Sequence, residues 1–381
     1  MNPYVQIINR TYDWLLSSAI ALHERKKLSR IMHNHQDYFA RVQSLDSREW
    51  IEKWKSLGPT YDVFFKYYSA FIGTDINIVP DDLMHNVIEP LLNPMRYRGL
   101  YSDKNMFDRF LDSSFSIRVT PVTVLRRING GYYDRNYKTV AVNTCIDNQT
   151  ESEYLVAKPA IDSSSGRNIL FFDRINNQYI LRDSEEHLTV DLLNHRLGSN
   201  YILQEGIKQS DFMSLFSPSS INTLRVSTYK SVLNEESVVL NGALRVGKAG
   251  FHTDNVHSGG CRIGIEPNGR LKKSCSDQFG NVFPSFNGID FSANDFIIPN
   301  YERIKDFAKK VSSSIPHQRL LALDIALDSN NDPVLVEYNN YAFTVSAFQM
   351  TVGTVFGKYT DEVIAFCKER KKDATRIYLT Y

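Results

Sequence analysis

Residues 334–340 read VLVEYNN. Val334, Leu335 and Val336 have the look of a buried strand, yet they run directly into Glu337 and, two positions on, Asn339. Just upstream, LLALDIAL (320–327) carries Asp324, and the stretch DSNND between the two runs has the composition of a turn. A turn centred on Asn330-Asn331, a pair that tolerates positive φ, sets Asp324 opposite Glu337 with Cα atoms roughly 4.5–5.5 Å apart. Alternation along each strand then puts Leu321, Leu323, Ile325 and Leu327 on one face and Ala322, Asp324 and Ala326 on the other. On the second strand, Leu335, Glu337 and Asn339 share a face. Two facing carboxylates repel each other, and a divalent cation removes that cost. The donors are all hard oxygens, which suits Mg²⁺ and argues against Zn²⁺. Asp324, Glu337 and Asn339 are therefore candidate metal ligands. A surface hairpin with one wet face is the plainer reading of the same spacing.

Other stretches could meet an anion. YLVAKPAIDSSSGRNIL (154–170) places Lys158 at the end of an apolar run, followed by the small-residue loop Ser163, Ser164, Ser165, Gly166. Backbone N–H groups and hydroxyls in such a loop can cover phosphates, and a lysine at a strand end can meet one as a point charge. The spacing does not fit a Walker A loop, and a flexible hairpin tip has the same composition. TLRVSTY and ALRVG carry Arg225 and Arg245 inside apolar runs, with no acid of matching spacing nearby. They are either solvated face residues or an oxyanion clamp. DNVHSGG (254–260) reads as a turn, and His252 and His257 do not read as metal ligands. No Gly-x-Ser-x-Gly elbow is present, which discounts a serine hydrolase.

The elements that must position these groups change character along the chain. Up to about residue 98, apolar residues recur at helical spacing, as in Trp50, Ile51 and Trp54. From Val119 short β-branched or aromatic runs are broken by Gly, Asn and Asp. Ile304, Phe307, Ala308 and Val311 mark one amphipathic helix ending before Pro316, and another is expected from about Tyr359 to Arg370. Strand runs mixed with isolated helices predict α+β architecture with mainly antiparallel sheets. With 381 residues, two or three domains are expected. A net charge of +1 gives no general attraction to nucleic acid. The four cysteines are scattered, so neither a zinc site nor a disulfide scaffold is expected. The run around Trp14–Leu22 is too short to span a membrane and reads as a short amphipathic helix. A cytoplasmic setting is the simplest expectation, with a place at the inner membrane face as the alternative.

In this order, SDKNMFDRFL (102–111), YLVAKPAIDSSSGRNI (154–169), YILQEGIKQ (201–209), INTLRVST (221–228), ALRVG through DNVHSGG, LALDIAL and VEYNN resemble the ATP-grasp superfamily. The likeness is greatest to its sugar-transfer-associated branch and covers roughly residues 95–350. The resemblance implies an ATP-grasp fold: two α+β subdomains (96–205 and 206–381) gripping ATP, after a largely helical region 1–95. It implies ATP and Mg²⁺ as cofactors. Lys104 and Lys158 would contact phosphates, with Ser163, Ser164, Ser165 and Gly166 as the lid. Gln204, Glu205 and Ile207 would line the adenine, and Asp211 would reach the ribose. Arg225 and Arg245 would stabilise the transferred phosphate, and Asp324, Glu337 and Asn339 would hold metal. The implied activity is an ADP-forming carboxylate–amine ligase working through an acylphosphate. Its substrates would be a small-molecule or sugar-acid acceptor and an amine, in surface polysaccharide synthesis beside a glycosyltransferase or another assembly partner. A kinase acting on a sugar hydroxyl and a non-catalytic nucleotide-binding partner of a glycosyltransferase are the alternatives. The chain departs from its relatives in a Ser-rich lid, in Leu-Ala-Leu before Asp324 and in Tyr338 where a Gly is usual.

Overall fold

The computed structural model describes residues 3–111, 115, 119–141, 150–161 and 168–375. Two all-antiparallel sheets carry the chemistry-bearing segments. The first has six strands in the spatial order Gly131–Tyr133, Thr123–Ile128, Tyr201–Glu205, Tyr154–Pro159, Leu170–Ile175, Gln178–Leu181. The second has seven, in the order Val282–Phe283, Leu271–Ser276, Cys261–Ile265, Ser237–Val246, Thr223–Lys230, Leu320–Leu327, Pro333–Asn339. The fold is α+β with antiparallel sheets and a helical N-terminal part, as expected.

Each sheet buries one face under a helix. Leu125, Leu155, Ala157, Phe172 and Leu203 of the first pack with Leu193 of the helix Val190–Leu197. That helix is capped at its N-terminus by Thr189, whose Oγ1 accepts from the Leu192 N–H. In the second, Leu224, Val226, Leu244, Ile263, Leu321, Leu323 and Ile325 pack with Ile304, Phe307, Ala308 and Val311 of the helix Tyr301–Ser313. The N-terminal helices form a further core around Trp50, Trp54, Phe64 and Tyr68, shared with Tyr229 and Leu320 of the second sheet and with Phe348 and Phe356. The two tryptophans donate to the carbonyls of Ile78 (2.7 Å) and Ile76 (3.0 Å), so their buried N–H groups are satisfied. The first helix is not short: it runs Pro3–Asn34, because no Gly or Pro interrupts it. Among the described residues no helix is long and apolar enough to cross a membrane. Cys261, Cys275 and Cys367 are free and buried.

The hairpin 320–339 differs instructively from its expected form. Its register does bring Asp324 opposite Glu337 and Ala322 opposite Asn339. The turn, however, is one residue longer than one centred on Asn330-Asn331: the Asp328 N–H donates to the Asp332 carbonyl at 3.0 Å, and of the two asparagines only Asn331 has positive φ. That slips the near end by one residue, so Leu327 faces Pro333. A bulge at Val336, between the Asp324–Glu337 and Ile325–Leu335 pairs, restores the register beyond it. The bulge also reverses a face assignment. Leu335 does not share a face with Glu337; it is buried with Leu323, Ile325 and Tyr338 in the helix-covered core.

Candidate active site

Between the two sheets lies an open cleft. The first sheet contributes Tyr154, Val156, Lys158, Phe171, Gln204 and Glu205; the second contributes Thr223, Arg245, Asp324, Val336 and Glu337; Lys104, Ile207 and the loop 252–255 complete it. One end is apolar and aromatic, the other strongly charged.

Local structure explains how each charged group is held. Lys104 begins a 3-10 turn whose preceding residue, Asp103, accepts from the Asn105 N–H at 2.9 Å, and its own N–H donates to the Ala160 carbonyl at 2.9 Å. Its ammonium lies 3.5 Å from Glu337 Oε2. Lys158 closes the central strand Tyr154–Pro159 and is only 7% exposed. Its Nζ donates to the Val336 carbonyl, at 3.4 Å, which is the carbonyl the bulge turns aside from the ladder. Burial and the nearby Lys104 charge lower the Lys158 pKa to about 8, against the opposing pull of Glu337.

Arg225 and Arg245 are not the unpartnered pair that their spacing suggests. Asp324 accepts from Arg225 Nε (2.8 Å) and Nη2 (2.6 Å) and from Arg245 Nη1 (3.0 Å). Arg245 also meets Asp254 at 3.0 Å, and Asp254 accepts from the Thr223 hydroxyl. Burial opposes ionisation of Asp324, but the two guanidiniums outweigh it and bring the pKa down to about 2. Asp254 is raised, chiefly by burial.

The donor set fits a hard divalent cation only in part through protein oxygens. Of the roughly four lone-pair directions on a carboxylate, Asp324 spends three on arginine. Glu337 is the freer acid. Asn339 donates its Nδ2 to the Ala322 carbonyl at 3.3 Å. Among the described residues no three acids, histidines or cysteines form a closed cage. One or two carboxylates with the remaining positions filled by water and phosphate is the usual arrangement for Mg²⁺, and Glu337 with Asp324 answers to it.

At the apolar end, Tyr154 donates its hydroxyl to the Ile207 carbonyl at 2.6 Å. A side chain on Gly206 would lie 2.2 Å from the Tyr154 ring, so only glycine lets the ring fold over that connection. Glu205 accepts from the Thr150 hydroxyl at 2.7 Å, and Gln204 is 6% exposed against the cleft.

Lys104, Lys158, Gln204, Glu205, Ile207, Arg245, Asp324 and Glu337 thus line one cleft. Arg225 and Asn339 line an adjoining cavity that shares Lys104, Arg245 and Glu337 with it. Asp211 is not brought in: it is exposed at the start of the helix Asp211–Ser214 and lines neither cavity. Ser163, Ser164, Ser165 and Gly166 lie outside the described residues. Sequence reasoning missed Asp254, Thr223, Tyr154 and Arg262. The DNVHSGG run was the signal for Asp254, read there as a turn alone; an acid preceding an Asx turn near two strand arginines deserved the pairing.

Lys158 supplies a test of the charge logic. Because its pKa lies at about 8, its ammonium is lost as pH rises through 8, while in the unfolded chain it persists to about 10.4. Affinity for a phosphate ligand should therefore fall between pH 7 and 9. The unliganded protein should receive the opposite contribution, since the unfolded state then binds the extra proton and stability rises with pH. Titration calorimetry with a nucleotide at several pH values checks the first. A Lys158→Met protein whose affinity keeps the same pH dependence would refute it.

Comparison with solved structures finds distant likenesses, among them the following. The chain is 12% identical to D-cycloserine synthetase DcsG over 73% of both chains, with a TM-score of 0.41. It is 12% identical to an L-amino acid ligase from Bacillus licheniformis, over 63% of this chain and 40% of that one, TM-score 0.34. It is 13% identical to the ATP-grasp ligase PsnB complexed with minimal precursor, over 72% of this chain and 63% of that one, TM-score 0.37. No functional weight rests on these scores. Curated proteins return no match. The family model described as sugar-transfer associated ATP-grasp matches residues 84–364, most of the chain, and the protein belongs to that family.

Proposed function

We propose that the protein is an ATP- and Mg²⁺-dependent carboxylate–amine ligase that releases ADP. ATP and Mg²⁺ are the cofactors that go with the family. The observation that carries the reading is the juxtaposition of Glu337 and Asp324 with Lys104 and Lys158 at the charged end of one cleft. The apolar end, with Tyr154, Phe171 and Ile207, suits a purine base.

The acceptor carboxylate attacks the γ-phosphorus, ADP leaves, and an acylphosphate results. An amine then attacks the acyl carbon, phosphate departs, and an amide forms. Lys104 and Lys158 hold the phosphate tail, and Arg245 faces the transferred group from the second sheet. Arg225 is held in place by its two bonds to Asp324. Mg²⁺, held by Glu337 and Asp324 with Asn339 beside them, would neutralise charge on the β- and γ-phosphates. Such chemistry asks for positioning and charge rather than a protein nucleophile. The acceptor is a sugar acid or amino acid and the product decorates a surface polysaccharide, a context supported by the family's sugar-transfer description.

The test is a screen of amino acids and uronic acids, each with an amine donor, for acceptor-dependent ADP release, with products read by mass spectrometry. Free phosphate plus an amide is the expected outcome. Phosphate retained on the acceptor makes the protein a kinase. No ADP from any pair, with tight Mg·ATP binding, makes it a nucleotide-binding partner instead.

A further inference from the structure

The polar face of the second sheet carries a gradient of charge. Crossing it strand by strand from the hairpin edge, one meets Glu337, Asp324, Arg225, Arg245 and Arg262. The first two arginines are neutralised by Asp324, and Arg245 by Asp254 as well. Arg262, directly opposite Arg245 in register, has no such partner. It is 6% exposed, makes no ion pair or side-chain hydrogen bond among the described residues, and its Nη1 is buried without an acceptor. Burial first, then the Arg225 and Arg245 charges, lower its pKa to about 10, so it is still a cation at neutral pH.

A buried charge without a counter-ion is destabilising, and a fold that keeps one is holding it for something absent. Arg262 lines the adjoining cavity together with Arg98, His257, Asn340, Tyr341 and Thr344. The Asn340 amide is a second unmatched group there: its Nδ2 is buried with no acceptor. This cavity meets the nucleotide cleft at Lys104, Arg245, Asn255 and Glu337. Arg262 sits four strands from Glu337, on the order of 19 Å at the usual strand spacing, so whatever it binds lies away from the metal acids. A guanidinium matches the two oxygens of a carboxylate; Arg98 lines the same cavity, stacked over the Tyr341 ring and in no ion pair among the described residues, so phosphate is the competing anion that the test must separate.

We propose that Arg262 anchors a carboxylate of the second substrate, an acidic acceptor whose other end reaches the phosphates at Lys104 and Glu337. Calling the anion a substrate rests on the ligase reading; the existence of the anion site does not. The acceptor then carries two distinguishable ends, one recognised by Arg262 and Asn340 and one that reacts.

Binding, not turnover, tests this, so an inactive preparation cannot be mistaken for a missing site. The full chain, saturated with Mg²⁺ and a non-hydrolysable ATP analogue, is titrated with D-glucuronate, D-galacturonate and glutarate. D-glucose, D-galactose and glutaramide are the neutral controls, and inorganic phosphate is the competing anion. At least one carboxylate should bind the wild type tenfold or more tightly than its neutral counterpart. Arg262→Met should lose that preference tenfold or more, and Arg262→Lys should keep part of it. Without ligand, Arg262→Met should melt higher, by roughly 2 °C or more, because an uncompensated buried charge has been replaced by an apolar chain of similar volume. Equal carboxylate affinity in wild type and Arg262→Met overturns the proposal. So does a panel that contains no binder, preference for phosphate over every carboxylate, or a lower melting temperature for Arg262→Met.

Discussion

A Glu337→Gln protein should fold like the wild type and release ADP about 10²–10³-fold more slowly, the usual cost of removing one preorganised charge at a transferring group. The asymmetry follows from its surroundings. The Glu337 side chain is 29% exposed, and its ion pair to Lys104 is long, at 3.5 Å. Gln keeps the shape and removes the charge, so stability should change by no more than about 0.5 kcal/mol. On the proposed reading, what disappears is the freer of the two carboxylates that would take Mg²⁺, and with it the counter-charge that would set Lys104 against the phosphates. Acceptor-dependent ADP release, measured beside a thermal melt, decides the matter. Undiminished release in a well-folded variant would remove Glu337 from the metal site and the ligase reading with it.

Asp324→Asn should behave in the opposite way, failing first in stability. Asp324 is 2% exposed and is the shared counter-ion of two buried arginines. Breaking a buried pair by removing one partner costs about 3–5 kcal/mol, because the stranded charge remains. Here the penalty is compounded: Arg245 retains Asp254, but among the described residues Arg225 has no second acid and Arg262 nearby has no ion pair. Denaturant unfolding of wild type and variant measures the loss. A midpoint matching the wild type would mean that the arginines find other partners, and the charge arrangement described for this face would not stand. Read together, the two variants separate the acid that serves the ligand from the acid that also holds up the sheet.

The hairpin shows why part of the site was legible and part was not. Alternating apolar and acidic residues are a local signal, and the turn composition between them is local too. Facing Asp324 with Glu337 therefore needed only strand geometry. Yet the pairing arises by compensation, a turn longer by one residue and a one-residue bulge at Val336. Both depend on packing, since Leu335 and Tyr338 must enter the core beneath the helix Tyr301–Ser313. The acid that partners the two arginines was not legible for the converse reason. Their acid stands 99 and 79 positions away, one strand over from Arg225 and two from Arg245, where no spacing rule can reach it. Asp211 looked plausible by proximity to the 204–207 segment, and the start of a short helix carried it out to solvent instead.

By itself the amino-acid sequence determined the kinds of groups available, the order of strands and helices, and the family. These follow from residue chemistry and short-range periodicity, which the chain carries whatever its fold. Tertiary structure alone decided which charges neutralise one another. Burial strips water from Lys158, Asp324 and Arg262 alike, and each group's state then depends on what a distant strand brings within a few ångströms: a carbonyl, two guanidiniums, or nothing.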